Sequence, residues 1–294
     1  MIHRASQLPS VQSSIDCLSP KEYAEIAHDF LIKHSISINK AQSLEPLGEV
    51  LQAFLKIPYE NLSKILKFNT KHQDTIAIRM PDEVWSDFRN YKLGGTCFSL
   101  TYFLQTIVEY LGYNSYPVMA HMRAGENHHC ALVVLWQGEH YLADPGYVLD
   151  LPMRLTRNNA MRYRNAHTGV EICPTAHPNE YELYTFTNEK RVWRYKFQDI
   201  AVSADEFFKH WTHSFSWNGM NGLCLSRNER DALVYVHNFH MRETTIRGKK
   251  NINLKKNRAV LINQAFGIPE HIIKKAENAL LDNRERKIAG EKDG

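Results

Sequence analysis

Cys97 follows two glycines and a threonine, and this spacing favours a reactive thiol. Gly94 and Gly95 allow a sharp turn, and Thr96 can cap a helix that begins at Cys97. The positive end of a helix favours a thiolate in its first turn. Glycines also let a substrate carbonyl approach backbone N–H groups that can hold an oxyanion. The motif predicts a nucleophilic cysteine, and a small buried cysteine that only packs is the alternative.

A nucleophilic cysteine also needs a base. The candidates are His121, His128 and His129. The segment from Cys130 to Ala143 is typical of a β-hairpin with a two-residue turn at Gln137-Gly138. In that register His129 and Asp144 share one face as diagonal neighbours, about 7 to 8 Å apart at the backbone, and His128 lies on the other face. Asp144 is therefore expected to orient His129, the expected base for Cys97.

These side chains also have interpretations other than a catalytic base and its acid. Two alternative interpretations stay open: a hydrogen-bonded strand histidine at 129 and a simple turn at Asp144-Pro145-Gly146. The three histidines lack H-E-x-x-H spacing and no C-x-x-C motif lies near them, so no metal is expected. No G-x-G-x-x-G or Walker-type loop occurs, which argues against a Rossmann or P-loop nucleotide site.

The first third of the chain shows helical periodicity. A capping box at Ser19 to Glu22 opens a helix that runs to about His34. A second amphipathic pattern follows Ser43 and stops at Pro58, and a third runs from Cys97 to about Leu111. The segment from Phe68 to Asn90 is mixed and polar. These patterns place Cys97 at the start of the last helix of a helical region.

After Gly112 the hydrophobic period changes from helical to alternating. Short β-branched or aromatic segments, separated by turn signals, predict a small antiparallel barrel or open sheet. They are Ser115–His121, Cys130–Trp136, His140–Ala143, Glu182–Thr187 and Val192–Phe197. Beyond about Phe207 we expect three further strands, Leu223–Leu225, Ala232–His237 and Arg242–Ile246, and a closing helix from Glu270 to about Arg286.

The bulk composition is that of a folded globular protein. The 294 residues are 43% hydrophobic and 23% charged, a length suited to two domains or one enzyme-sized fold. The net charge of +4 is spread over mixed-sign sequence, so neither a nucleic acid nor a membrane is expected as partner. Basic runs at 247–258 and 274–275 are typical of a solvated face, with an anionic ligand such as a cofactor phosphate as the alternative.

The cysteines indicate a reducing compartment. There are five, scattered and without C-x-x-C spacing, which is unlike a disulfide framework. They are Cys17, Cys97, Cys130, Cys173 and Cys224. Residues 1–19 lack the apolar core of a signal peptide, and no run of about 18 apolar residues occurs. We therefore expect a cytoplasmic protein.

Several motifs resemble the arylamine N-acetyltransferase family, in its order and spacing. The family's I-P-F-E-N-L segment is similar to Ile57-Pro58-Tyr59-Glu60-Asn61-Leu62, and its R-G-G-aromatic-C-[FL] motif is similar to Gly94-Gly95-Thr96-Cys97-Phe98. Its histidine and D-x-G-[FY] elements resemble His129, followed fifteen positions later by Asp144-Pro145-Gly146-Tyr147. The region of Ser214-Phe215 looks like the entry to its third domain. The resemblance covers about residues 19–260.

The resemblance implies a multi-domain α+β fold with a cysteine-protease- or transglutaminase-like core. A flexible arm would occupy residues 1–18 and a helical bundle carrying the nucleophile residues 19–113. An antiparallel β-barrel carrying the histidine and aspartate would occupy residues 114–212, and an α/β lid with the C-terminal helix residues 213–294. Cys97, His129 and Asp144 would form the catalytic triad.

The resemblance also implies ping-pong acyl transfer. Cys97 would attack acetyl-CoA or another acyl-CoA, CoA would leave, and an arylamine, hydrazine or hydroxylamine would take the acyl group. His129 would move protons in both halves. The chain departs from the family pattern at four positions, with Leu93 for arginine, Thr96 for an aromatic residue, Ser99 for glutamate and Val148 for glycine. Because two of these changes remove charges, we expect a different ion-pair arrangement beside Cys97.

Two alternative functions remain open. Cys-His-Asp in this order also serves amide synthases and transglutaminase-like enzymes, which use a non-CoA acyl donor. A divergent relative retained for ligand binding without catalysis is the other alternative. The sequence identifies neither the amine acceptor nor the residues that bind the acyl-CoA, and it leaves the oligomeric state open.

Overall fold

The computed structural model describes residues 18–38, 43–71, 77–147, 149–165, 167–188, 190–228, 232–245 and 247–290. The expected arm at 1–18 lies almost wholly outside these ranges, and so do Cys17, Val148 and Ile246. Within the described ranges, no helix combines the length and apolar character needed to cross a membrane.

Five α-helices and one short strand make up the first third of the described chain. After a 3-10 turn at Pro20–Tyr23 come α1 (Ala24–Lys33), α2 (Glu45–Phe54), β1 (Tyr59–Glu60), α3 (Leu62–Lys71), α4 (Pro81–Tyr91) and α5 (Cys97–Tyr110). The three predicted helices are confirmed. The predicted capping box is wrong, because the Ser19 side chain makes no capping hydrogen bond. No helix was predicted at α4, whose buried face is only Pro81, Val84 and Trp85.

Helix α5 runs through the core of the helical region. Nearly every residue from Cys97 to Val108 is buried, and α1, α2 and α4 pack around it. The Phe30 ring lies 5.7 Å from that of Phe103 on α5 and 5.2 Å from that of Trp85 on α4, measured between ring centres. Because close-packed cores deform little, the first turn of α5 is held in a fixed position.

The middle of the chain forms an eight-stranded antiparallel sheet that curves into a nearly closed barrel. Its strands are β2 (Asn114–Met122), β3 (Gly125–Trp136), β4 (Glu139–Ala143), β5 (Met153–Arg154), β6 (Met161–Arg164), β7 (Gly169–Pro174), β8 (Glu180–Phe186) and β9 (Arg191–Gln198). Their spatial order is β5-β4-β3-β2-β9-β8-β7-β6. All five strands predicted here are confirmed, and β5, β6 and β7 are additional.

The hairpin between β3 and β4 has the predicted register. Trp136 pairs with Glu139 across a turn made of Gln137 and Gly138. Both turn residues have a positive φ, 49° and 78°, as the common two-residue hairpin turn requires. Because side chains alternate between the two faces of a sheet, this register places His129 on β3 and Asp144 just after β4 on the same face.

The C-terminal third combines helices with a second antiparallel sheet. Its elements are α6 (Ala204–His213), a 3-10 turn (Asn218–Asn221), β10 (Cys224–Asn228), β11 (Ala232–His237), β12 (His240–Thr245), β13 (Gly248–Asn253), α7 (Arg258–Phe266) and α8 (Glu270–Gly290). The sheet order is β1-β10-β11-β12-β13, so strand β1 from the helical region forms one edge. Side chains of α7 and α8 pack against this sheet in one apolar cluster. The domain boundaries at 114 and 213 stay a prediction.

Candidate active site

Cys97 is the first residue of α5, as predicted. The preceding turn needs Gly94, because a Cβ there would lie 1.9 Å from the Pro58 carbonyl oxygen. Thr96 occupies the N-cap position with an extended backbone, but its side chain makes no capping hydrogen bond, so the predicted capping role is wrong. Cys97 is only 5% exposed. The turn therefore presents a buried thiol at the positive end of a helix.

The two glycines do not supply free N–H groups. The Gly94 N–H donates to Glu60 Oε1 at 3.1 Å, and the Gly95 N–H donates to the Pro58 carbonyl at 3.4 Å. The Cys97 N–H, at the first position of α5, has no acceptor within the helix. The backbone N–H of Cys97, and not those of the two glycines, is therefore available to stabilise an oxyanion formed at the cysteine.

The predicted base and acid meet beside the cysteine. His129 on β3 and Asp144 just after β4 are both buried, and His129 Nε2 lies 2.8 Å from Asp144 Oδ2. Because Nε2 faces the carboxylate, Nδ1 is the ring nitrogen available to Cys97. A Cβ at Gly146 would lie 2.7 Å from the His129 ring and 3.5 Å from Cys97 Cβ. The turn after β4 thus packs against both side chains.

The Asp144 carboxylate is held on both oxygens. Oδ2 accepts from His129 and from the Tyr195 hydroxyl at 2.6 Å. Oδ1 accepts from the backbone N–H groups of Gly146 at 2.9 Å and Tyr147 at 3.0 Å. A carboxylate that accepts four hydrogen bonds has little rotational freedom, so it holds the imidazole in one orientation. No sequence motif pointed to Tyr195.

The electrostatics favour a charge-separated cysteine–histidine pair. The neighbouring Cys130 thiol lowers the pKa of Cys97, burial raises it, and the adjacent His129 lowers it further, so that it falls well below the usual value. Burial lowers the pKa of His129, but the charge and hydrogen bond of Asp144 outweigh this and raise it to about 10. Between these two pKa values the site holds a thiolate beside an imidazolium.

This pairing predicts the pH dependence of alkylation. Since Cys97 loses its proton at a lowered pKa, its labelling by iodoacetamide should slow much less between pH 8 and pH 6 than that of an ordinary thiol. An ordinary thiol with a pKa near 8.5 slows about 75-fold over the same range. The measurement is the labelling rate of each cysteine peptide by mass spectrometry. Cys173, whose pKa is raised by burial, is the internal reference, and a Cys97 rate that falls in parallel with it would contradict the pairing.

The other two candidate histidines do not contact Asp144. His121 Nδ1 accepts a hydrogen bond from the Asn127 backbone N–H at 3.2 Å. The His128 ring stacks on Trp217, with ring centres 4.2 Å apart, and lines the cavities beside Cys97. Of the three histidines, His129 is the one hydrogen-bonded to Asp144, as the hairpin register predicted.

A buried arginine from outside the nucleophile motif contacts the turn before Cys97. Leu93 is 3% exposed and packs in the apolar cluster under the C-terminal sheet. The buried Arg79 instead donates to Ser63 Oγ at 2.6 Å and to the Gly94 carbonyl, and its Nη1 lies 3.9 Å from Glu60 Oε1. An ion-pair arrangement that differs from that of the family stays a prediction. No sequence motif marks Arg79 for this position.

Replacing Arg79 with leucine should destabilise the nucleophile turn. Glu60 is fully buried, and a buried carboxylate that loses its cation costs about 3 kcal/mol or more. We expect urea unfolding of Arg79→Leu to show a loss of that size in the free energy of unfolding. Arg89→Leu is the matched control, because Arg89 pairs with Asp29 at the surface, where such pairs contribute about 1 kcal/mol or less. Equal losses in both variants would contradict the assignment.

Two consecutive residues of the I-P-Y-E-N-L segment connect the nucleophile turn with the C-terminal sheet. Glu60 accepts from the Gly94 N–H, as described above. Asn61 Nδ2 donates to the carbonyls of Gly219 at 2.8 Å and Gly222 at 2.7 Å, and Asn61 Oδ1 accepts from the Cys224 N–H at 2.8 Å. The segment therefore fixes the position of the C-terminal sheet relative to Cys97.

Two cavities of about 400 Å³ each open on Cys97. Six residues line both: Tyr59, Cys97, Met122, His128, Cys224 and Tyr235. We call the one that includes Lys64, Ser214 and Trp217 the tryptophan cavity. The other, the arginine cavity, includes Arg194 and Arg242. Within the described residues no three His, Cys, Asp or Glu side chains are grouped as a metal site requires.

Comparison with known proteins identifies the family. A family model described as N-acetyltransferase matches residues 43–272. A search of curated protein sequences gave no significant match. Among solved structures, the arylamine N-acetyltransferase from Mycobacterium abscessus matches with a TM-score of 0.71 and 16% identity, over 87% of this chain and 94% of that chain.

Two further solved structures have the same fold. The arylamine N-acetyltransferase of Mycobacterium marinum, in complex with CoA, matches with a TM-score of 0.67 and 16% identity, over 83% of this chain and 94% of that chain. An arylamine N-acetyltransferase from Bacillus cereus, described as having a unique Cys-His-Glu catalytic triad, matches with a TM-score of 0.65 and 17% identity, over 83% of this chain and 99% of that chain. The α+β fold with a cysteine-protease-like core is confirmed. Since the family model spans most of the chain, this protein belongs to the arylamine N-acetyltransferase family and is an N-acetyltransferase.

Proposed function

We propose that the protein transfers an acetyl or other acyl group from acyl-CoA to an arylamine, hydrazine or related amine through a thioester on Cys97. His129 acts as base and acid, and Asp144 orients it. The observation that carries this proposal is the buried His129 ring, with Nε2 on Asp144 and Nδ1 left for Cys97. The CoA complex of the M. marinum enzyme and the cysteine–histidine–acid triad of the B. cereus enzyme support it.

In the first half-reaction the Cys97 thiolate attacks the thioester carbonyl carbon and forms a new S–C bond. The carbonyl oxygen gains negative charge, which the Cys97 N–H can stabilise. The bond between the carbonyl carbon and the CoA sulfur then breaks. CoA thiolate leaves and takes the proton of the His129 imidazolium, and Cys97 remains acylated.

In the second half-reaction the amine nitrogen attacks the carbonyl carbon of acyl-Cys97. Neutral His129 removes a proton from the amine, the C–S bond to Cys97 breaks, and the amide leaves. The thiolate and the imidazolium are restored. Both cavities open on Cys97, which supports a ping-pong reaction in which donor and acceptor reach the same sulfur in turn.

Intact mass spectrometry tests the covalent step. After incubation with acetyl-CoA, the wild type should gain about 42 Da and release CoA, and Cys97→Ala should do neither. Acylation by other thioesters but not by acetyl-CoA would favour an amide-synthase or transglutaminase-like reaction. Absence of an acyl-enzyme with every thioester would refute acyl transfer. A cytoplasmic location stays a prediction.

A further inference from the structure

The arginine cavity is lined by two guanidinium groups that approach from different sheets. Arg194 belongs to β9 of the barrel and Arg242 to β12 of the C-terminal sheet. The described residues that line this cavity include no aspartate or glutamate. Two positive charges in one cavity, with no acidic side chain in its described lining, favour an anionic ligand.

A β-bulge sets the position of Arg194. Leu183 pairs with Tyr195 and Tyr184 pairs with Trp193, so Arg194 is the extra residue in β9. Bulges are common next to active sites, where they redirect a side chain. Within the described part of the chain, the one hydrogen bond of Arg194 is from Nε to Thr185 Oγ1 at 2.7 Å. Its two terminal nitrogens are left to donate to a ligand.

Arg242 lies beside the aromatic ring of Tyr235 in the same cavity. It pairs across the strands with Tyr235, and its guanidinium carbon lies 5.6 Å from the centre of that ring. Its Nε is buried and, among the described residues, has no hydrogen-bond partner. Buried hydrogen-bond donors are normally paired with an acceptor, so Arg242 Nε is a further donor that a ligand could pair with.

The cavity connects the two arginines with Cys97. Burial raises the pKa of Tyr147, Arg194 lowers it and Cys97 raises it, so the phenol lies within electrostatic range of both. Tyr59, Tyr147 and Tyr235 line the space between them with aromatic surface. A neighbouring cavity of about 310 Å³, which shares Asn165, His167 and Thr168, continues the cationic surface outward with Arg164, Arg247 and Lys249.

We propose that Arg194 and Arg242 bind a carboxylate or phosphate group of a substrate whose other end reaches Cys97. This inference rests on the proposed acyl transfer. The anionic group has two sources, an acid substituent on the arylamine ring or a phosphate of the acyl-CoA. Both present oxygen atoms that accept paired hydrogen bonds from guanidinium groups.

Calorimetric titration of the unacylated protein tests anion binding without turnover. The ligands are 4-aminobenzoate with its neutral methyl ester, and CoA with its phosphate-free analogue pantetheine. Arg194→Gln and Arg242→Gln should each weaken one charged ligand about tenfold and leave its uncharged counterpart unchanged. Arg162→Gln is the matched control, because Arg162 lies on β6 of the same barrel and pairs with Glu171 outside both cavities.

The charged ligand whose binding weakens in the variants identifies the source of the anionic group. Weaker binding of 4-aminobenzoate assigns the arginines to the acceptor, and weaker binding of CoA assigns them to the donor. The proposal is overturned if both variants bind all four ligands as the wild type does, or if charged and neutral ligands weaken equally.

A neutral donor separates failure of this inference from failure of the proposed function. Acylation of the wild type by p-nitrophenyl acetate, followed as a burst of p-nitrophenol, tests Cys97 with a donor that carries no anionic group. If the wild type itself is not acylated by any donor, the proposed function fails, and the calorimetric comparison still decides the anion site.

Discussion

Cys97→Ser is expected to lower kcat/KM for acetyl transfer by at least about 10⁴-fold. The Cys130 thiol and the His129 charge beside Cys97 lower its pKa and so stabilise a thiolate, which is a strong nucleophile at neutral pH. A serine hydroxyl in the same place is far less acidic, so the same interactions leave it protonated. The measurement is CoA release in the presence of acetyl-CoA and an arylamine.

Cys173→Ser is the matched control for this substitution. Cys173 lies on β7, and its sulfur accepts from Arg191 at 3.0 Å, away from the residues that line either cavity. It should retain activity within about twofold, because surface substitutions away from special features usually have small effects. More than about one hundredth of wild-type activity in Cys97→Ser, with correct folding shown by circular dichroism, would contradict the assignment of the nucleophile.

Asp144→Asn is expected to lower kcat by about 10³- to 10⁴-fold. Both oxygens of Asp144 accept hydrogen bonds, Oδ2 from His129 and Tyr195 and Oδ1 from two backbone N–H groups. Asparagine replaces one of the two carboxylate oxygens with an NH₂ group, which donates hydrogen bonds. In either orientation of the amide, this group therefore faces donors at a position where Asp144 accepts. His129 then loses the acceptor that fixes its tautomer, and Nδ1 no longer faces Cys97 as a base.

A labelling experiment distinguishes this effect from simple destabilisation. Without the Asp144 charge the raised pKa of His129 should fall, and labelling of Cys97 by iodoacetamide at pH 6 should slow relative to pH 8. Tyr195→Phe is the milder comparison, because it removes one of four hydrogen bonds and leaves the carboxylate, so a loss below about tenfold in kcat is expected. A fully active Asp144→Asn with unchanged labelling would show that the carboxylate has no role.

Much of the candidate site was predictable because it depends on local chemistry. A helix that begins at Cys97 follows from two glycines and an apolar stripe, and the positive end of that helix follows with it. A turn at Gln137-Gly138 fixed the register of its hairpin, and the alternation of side chains then placed His129 and Asp144 on one face. These inferences needed only neighbouring residues.

The remaining features depend on contacts between distant parts of the chain. Arg79 reaches Gly94 from a loop before α4, and Tyr195 reaches Asp144 from β9, contacts that no periodicity reveals. The bulge at Arg194 breaks the alternation from which strand faces are inferred. The expected cap at Thr96 was wrong because the turn is held by Glu60 and Pro58 instead.

Strand β1 has a consequence for the order in which the molecule can fold. Tyr59 pairs with Ser226 on one side and forms a bridge to Gly95 on the other. The nucleophile turn and the C-terminal sheet thus share a strand, although most of the chain separates β1 from β10. Closing so long a loop is entropically costly and slows folding. During synthesis the helical region therefore emerges with β1 unpaired at one edge, and the cavities beside Cys97 close only after β10 has left the ribosome.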